Sequence, residues 1–173
     1  DANLTVFTTR PDTIFGATFV VLAPEHPHVS ALATTEYKES LDAYITSAVK
    51  KSDIDRTNDT KEKTGVFTGS YATNPATGEK IPIWVADYVL GGYGTGAVMA
   101  VPAHDERDYA FAEKYNLPIV QVIEKPESSD IVGHYHGEGA LVNSGAFDGM
   151  QSSAAREEVV AWLEQQKLGS LKT

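Results

Sequence analysis

The stretch Gly91-Gly92-Tyr93-Gly94-Thr95-Gly96-Ala97-Val98-Met99-Ala100-Val101-Pro102-Ala103-His104-Asp105-Glu106-Arg107-Asp108 decides how the chain folds. Its glycines come first, then an apolar run of strand character, then a proline, then a carboxylate-rich helix start. A dinucleotide fingerprint needs the opposite order, with a strand before the glycines and a helix directly after them. A phosphate loop needs Lys followed by Ser or Thr, and neither follows here. The segment therefore reads as a buried strand over residues 97–101, a stop at Pro102 and a helix from about Asp105. Asp105, Glu106 and Asp108 fall in its first turn, where the positive end of the helix dipole favours them, and Tyr109, Phe111 and Ala112 can face the core. The glycines mark either a bend where backbones pass closely or a backbone surface against which a ligand lies.

Working outward, residues 4–9 alternate Leu4, Val6 and Thr8 with Thr5, Phe7 and Thr9, and residues 18–23 are apolar and β-branched; both read as strands. Arg10-Pro11-Asp12-Thr13-Ile14-Phe15-Gly16 between them reads as a loop or short helical turn. Apolar residues three or four apart predict an amphipathic helix over residues 29–49, followed by a polar loop or mobile flap over 50–64. Strands at 65–72 and 81–86 flank the hairpin sequence Asn74-Pro75-Ala76-Thr77-Gly78. A short strand at 118–123 precedes residues 124–150, rich in Gly, Ser and His, with hairpin-like pieces at most. The last helix spans about 153–167, with Gly169 as its stop. No repeat is present, and the expected architecture is a single α+β domain, residues 1–173, with a barrel-like, mostly antiparallel or mixed β core flanked by helices.

Composition narrows the function. The 173 residues carry 14 Lys+Arg against 24 Asp+Glu, a net charge of −10, so a module gripping a long stretch of nucleic acid is excluded. With 42% hydrophobic and 22% charged residues the chain is an ordinary globular protein. Cysteine is absent, which removes disulfides, thiolate zinc sites and cysteine nucleophiles. The longest apolar runs fall far short of the roughly 20 residues of a membrane helix, and residues 1–10 lack a signal-peptide layout. A soluble, cytoplasmic protein is the expectation. The chain starts without Met, inside a strand-like run, as a piece cut from a longer protein would.

Three groups of residues could carry chemistry. Thr8-Thr9-Arg10-Pro11-Asp12-Thr13 packs three hydroxyls, a guanidinium and a carboxylate into a strand end, a mix that can orient water or contact a sugar. Strand threonines and a capping Asp explain it equally well. Asp108, one turn into a helix after a buried strand, is placed to receive an ammonium, or is simply a helix-start carboxylate. His104-Asp105-Glu106-Arg107-Asp108 lacks the second histidine of a helical zinc site, and the pairs His26/His28 and His134/His136 have no other convergent ligands, so surface histidines explain them. No Gly-x-Ser-x-Gly motif supports a serine triad.

Residues 8–16, 84–90, 94–108 and 141–145 together resemble the editing domain of bacterial leucyl-tRNA synthetase, over essentially the whole chain. Isoleucyl and valyl editing domains share the Thr-rich strand and the Asp-bearing helix, while Asp12 and Val98-Met99-Ala100-Val101 favour the leucyl type. No His-Ile-Gly-His-like or Lys-Met-Ser-Lys-Ser-like motif occurs, so amino-acid activation with ATP is not expected of this chain.

The resemblance implies the class I Leu/Ile/Val synthetase editing-domain fold and hydrolysis of the ester between a wrong amino acid and the 3′-terminal adenosine of tRNALeu. Carried onto these residues, it gives Asp108 to the substrate's α-ammonium and Thr13 to a steric gate against leucine. Thr8, Thr9 and Arg10 stand near the ester and the attacking water. Met99 and Val101 line the side-chain pocket, Tyr93 supports the adenosine, and His104 and Asp105 contact substrate and are candidates by type for a general base. No cofactor or metal is implied. The partners implied are the aminoacylated 3′ adenosine and the rest of a synthetase, with no membrane and a monomeric insert. A binding-only module for the aminoacylated adenosine, valyl- or isoleucyl-type specificity, and a free-standing metallohydrolase remain the alternatives.

Overall fold

Strand β1 (Phe19–Leu22) is buried at every position, because helices cover both faces of the sheet in which it lies. The computed structural model describes residues 2–127 and 133–172. Around β1 run β2 (Gly65–Thr73), β3 (Lys80–Ala86) and β4 (Ala97–Ala100), in the order β2-β3-β1-β4. The sheet is mixed: β1 is parallel to β3 and antiparallel to β4, with Val20 opposite both Ile83 and Met99, while β2 and β3 form an antiparallel hairpin. The molecule is thus α+β, with its mixed sheet flanked by helices.

Strand alternation sends residues to two layers. Phe19, Val21, Ala86 and Ala100 pack with Phe111 and Ala112 of α4 (Glu106–Tyr115), where the Phe19 ring stacks on Phe111 at 5.4 Å. Val20, Leu22, Ile83, Val85 and Ala97 pack on the other side with Val29 of α1 (Val29–Leu32) and Leu41 of α2 (Lys38–Ala48). A third, smaller cluster joins Ile123 and Leu141 to Ala155 of α5 (Ser152–Gln165).

Several sequence expectations change, each because a backbone group finds another partner. Residues 4–9 form no strand; a single parallel bridge joins Phe7 to Val98, and the Arg10 N–H bonds to the Thr8 hydroxyl at 3.0 Å, turning the chain out of extended geometry. The helix over 29–49 is two helices, because the Thr34 N–H leaves the helical ladder for the Thr68 carbonyl of β2 at 2.8 Å. No strand forms at 118–123 apart from an Ile123–Leu141 bridge, since the Val122 and Ile123 N–H groups both donate to His104 Nε2 at 3.0 Å. Within 50–64 lies α3 (Asp53–Arg56), and the buried Arg56 guanidinium pins that segment to the Asp87 and Val89 carbonyls at 2.8 Å each, which contradicts a free flap. The hairpin and the last helix match expectation to within a residue or two. Of the segment 124–150, residues 128–132 lie outside the described residues, as does Asp1.

The glycines before β4 form a bend. Gly94 and Gly96 have φ of +56° and +73°, and a side-chain carbon at Gly94 would sit 2.5 Å from Phe7 Cβ. Gly92 has open space around it. Replacing Gly94 by Ala is therefore expected to destabilise the fold by about 1–3 kcal/mol, and Gly92→Ala by less than about 0.5 kcal/mol, as read from urea denaturation midpoints. Equal effects at the two positions would contradict the close approach at Gly94.

Candidate active site

A cavity of ≈ 330 Å³ opens between the chain segment 7–13, the end of β4 and the start of α4. Thr8, Thr9, Arg10, Thr13, Tyr93, Met99, Val101, His104, Asp105 and Asp108 all line it, so two motifs some 90 residues apart in sequence meet in one place. A larger cleft of ≈ 480 Å³ lies on the outer side of α4, among Asp59, Lys61, Glu62, Lys63, Glu113 and Lys114, with charges paired as Lys61–Asp55 and Lys114–Glu62. None of the expected site residues lines that cleft.

The local sequence explains how Asp108 is held. Pro102 lies just beyond the end of β4, and the Asp105 side chain caps α4 by accepting from the Arg107 and Asp108 N–H groups at 2.9 and 3.0 Å. That turn folds Asp108 back under the strand it follows. One Asp108 oxygen accepts the Val101 N–H at 3.0 Å and the other accepts the Tyr88 hydroxyl at 2.9 Å. Burial pushes the carboxyl up to about 7, with the Asp105 charge adding to the rise, against the opposing pull of the Val101 N–H, the Tyr88 hydroxyl and Arg107. A carboxylate can accept about four hydrogen bonds. Two of these acceptor directions are filled, and the remainder suit a cationic donor entering from the cavity.

His104 is placed quite differently from a catalytic base. Its Nδ1 meets the Tyr135 carbonyl at 2.7 Å while Nε2 accepts two backbone N–H groups, which assigns the proton to Nδ1 and occupies the basic nitrogen. Burial holds the imidazole below its ordinary range. Asp105 is committed to the helix cap. His104 thus has no free basic nitrogen, while the second Asp105 oxygen faces Arg107 at 3.6 Å.

On the opposite wall the Arg10 guanidinium grips Asp12, with Nη2 at 2.8 Å from Oδ2, and Asp12 is fully buried between it and Arg156 Nε of α5 at 3.4 Å. Arg156 in turn pairs with Glu138, which also receives the Ser152 hydroxyl. This network ties the 3-10 turn Pro11–Gly16 to α5. Thr13 in that turn donates its hydroxyl to the Arg10 carbonyl at 2.8 Å, so it offers the cavity bulk rather than a donor. Thr8 accepts the Arg10 N–H and keeps its own proton for a ligand. Tyr93 is half exposed, its ring edge-on to Phe7 at 5.4 Å.

Sequence reading missed several wall residues: Phe7, Thr57, Tyr88, Val89, Leu90, Val98 and Arg107. Tyr88 lay within a recognised stretch but had no signal for a role, since its partner is 20 residues away. His26 Nδ1 accepts the His28 N–H and His134 packs against His136, and among the described residues no three His, Asp or Glu side chains converge as metal ligands. Nor is any described helix long and apolar enough to cross a membrane.

The family model described as the leucyl-tRNA synthetase editing domain matches residues 1–164. A leucine–tRNA ligase from Rubrobacter xylanophilus is 58% identical over 169 residues, which is 96% of this chain and 21% of that relative. A crystal structure of the ternary complex of Agrobacterium radiobacter K84 agnB2 LeuRS with tRNA and LeuAMS superposes with a TM-score of 0.73 at 36% identity, covering 98% of this chain and 18% of that one. The chain spans about a fifth of the length of each of these two proteins.

The raised Asp108 carboxyl has a consequence for stability. Its ordinary value is 3.8 and burial takes it to about 7, so the folded state binds the proton more tightly and stability falls as pH rises between those values, by about 4 kcal/mol in all. Asp108→Asn removes the buried charge while keeping a group that accepts the Val101 N–H. Its melting temperature is expected to exceed the parent's at pH 8 and to match it near pH 4. A parent whose stability does not fall between pH 4 and pH 7 relative to the variant would contradict the buried charge.

Proposed function

The chain belongs to the leucyl-tRNA synthetase editing-domain family, and on that premise we propose that its cavity hydrolyses the ester of tRNALeu charged with a wrong aliphatic amino acid such as norvaline, isoleucine or methionine. The observation that carries this reading is Asp108: a buried carboxylate with spare acceptor capacity in the cavity wall that also holds the Thr-rich segment. In the proposal the α-ammonium of the substrate pairs with Asp108. The side chain lies against Met99 and Val101, and Tyr93 supports the terminal adenine. Thr13 supplies the bulk that keeps leucine from a productive pose, because a hydrophobic pocket alone separates aliphatic side chains by only about 1–3 kcal/mol.

The chemistry follows from what is free at the site. His104 Nε2 is occupied, Asp105 caps α4 and pairs with Arg107, and Arg10 is paired to Asp12, so the proposal uses no base from among the described residues. Water held near Thr8 and Thr9 adds to the ester carbonyl carbon. The neighbouring ribose hydroxyl assists, and the proton ends on the departing ribose oxygen as the carbonyl–oxygen bond breaks. Oriented hydroxyl and amide donors stabilise the developing oxyanion. The −10 charge favours a division of labour in which this chain meets only the aminoacylated end and other parts of a synthetase hold the tRNA body.

Deacylation of norvaline-charged tRNALeu at high protein concentration tests the reading. Asp108→Asn is expected to lose about 10²–10³ in rate, the size of one lost charge pair, and EDTA to leave the rate unchanged. Thr13→Ala is expected to release leucine from correctly charged tRNA. Full activity in Asp108→Asn would sink the ammonium assignment. Binding without turnover in the parent would favour a binding-only module, and preference for tRNAs charged in the valyl or isoleucyl manner would reassign the specificity.

A further inference from the structure

Tyr88 is buried beside the ammonium site without a part in the steps above. It sits in the turn after β3, 3% exposed, with its ring packed on Phe111 at 5.8 Å between centroids. Lys63 and Arg107 lie over the same ring, at 6.0 and 5.9 Å from its centroid. These contacts fix the ring, and the flanking cations draw electron density from it, which makes the phenol a stronger hydrogen-bond donor. Among the described residues its hydroxyl donates to one acceptor, Asp108 Oδ1, at 2.9 Å.

We propose that Tyr88 is the positioning residue of the ammonium site: with the Val101 amide it clamps both Asp108 oxygens, fixing the carboxylate plane and sustaining its charge toward the cavity. The proposal rests on the assignment of Asp108 to the substrate's ammonium. Without Tyr88, a carboxyl this deeply buried keeps only the Val101 N–H and the more distant Arg107 to favour its ionised form, while Asp105 opposes it. Among the described residues the charged groups facing the pair are Asp105, the N-cap of α4, Arg107 of α4 and Lys63 from the segment before β2. Tyr88 itself stays protonated, because burial and the Asp108 charge push its hydroxyl well above the ordinary value. The role is therefore one of donor only. It sets the pH range over which the pocket accepts an ammonium.

The direct test is a titration of Asp108 in this chain by carbon NMR with labelled aspartate, the resonance being identified by its loss in Asp108→Asn. Tyr88→Phe is expected to raise the midpoint by about one pH unit, the size of one lost hydrogen bond to a charged group. Affinity for an adenosine carrying norvaline through a non-hydrolysable amide should then fall about tenfold at pH 6 and only about twofold at pH 8, relative to the parent. A fluorinated tyrosine at position 88, a stronger donor of nearly the same shape, should lower the midpoint instead. An unmoved midpoint in both variants, or an equal loss of affinity at both pH values, overturns the proposal. If Asp108→Asn binds the adenosine probe as tightly as the parent, the ammonium assignment falls, and the titration still decides whether Tyr88 sustains the charge.

Discussion

The carboxylate of Asp108, held out of water between the Val101 amide and the Tyr88 hydroxyl, is the constraint around which the molecule is arranged. A buried charge is unfavourable unless several donors face it. Three elements must meet to supply them: the end of β4, the turn after β3 and the start of α4. The sheet brings the first two together through β1, which pairs with both β3 and β4. Phe111 on α4, stacked on Phe19 of β1, fixes the third. A core that shifted by an ångström would leave the carboxylate short of a donor, so packing and charge placement are a single requirement.

The second wall is built by the same logic, with cations rather than neutral donors facing the buried carboxylate. Asp12 is buried, and it is stable there because Arg10 and Arg156 approach it from two sides. The pairing carries the 3-10 turn with Thr13 onto α5, while Arg56 fastens the residues around Thr57 to the turn that holds Tyr88. The partly exposed Arg10 and Arg156 thus brace one wall and the buried Arg56 the other, so both sides of the cavity are held by contacts within the chain. Such bracing suits the proposed ester hydrolysis, which draws on positioning and fixed dipoles rather than on a protein base.

Much of this was legible in the sequence for a specific reason. Glycines, then an apolar run, Pro102 and an Asp-capped helix start leave one local solution, and the family resemblance joined that segment to Thr8–Thr13 across the chain. What escaped depended on tertiary partners. Residues 118–123 have a strand pattern, yet two of their amides are taken by the His104 imidazole, while residues 4–9 are turned aside by the local bond from the Arg10 N–H to the Thr8 hydroxyl. The helix after β1 breaks because Thr34 bonds to β2. His104 looked like a base by type and is in fact a backbone bracket. Tyr88 and Arg56 gave no sequence signal because each acts on groups at least 20 residues away.

The central claim is that Asp108 receives an ammonium, and a crystal structure of the chain with an adenosine bearing norvaline through a non-hydrolysable bond tests it most directly. The account requires the amino group within about 3 Å of Asp108, on the side of the carboxylate left open by Tyr88 and Val101. An amino group directed to solvent, or an adenosine seated away from Tyr93 and the Thr8–Thr13 segment, would contradict it.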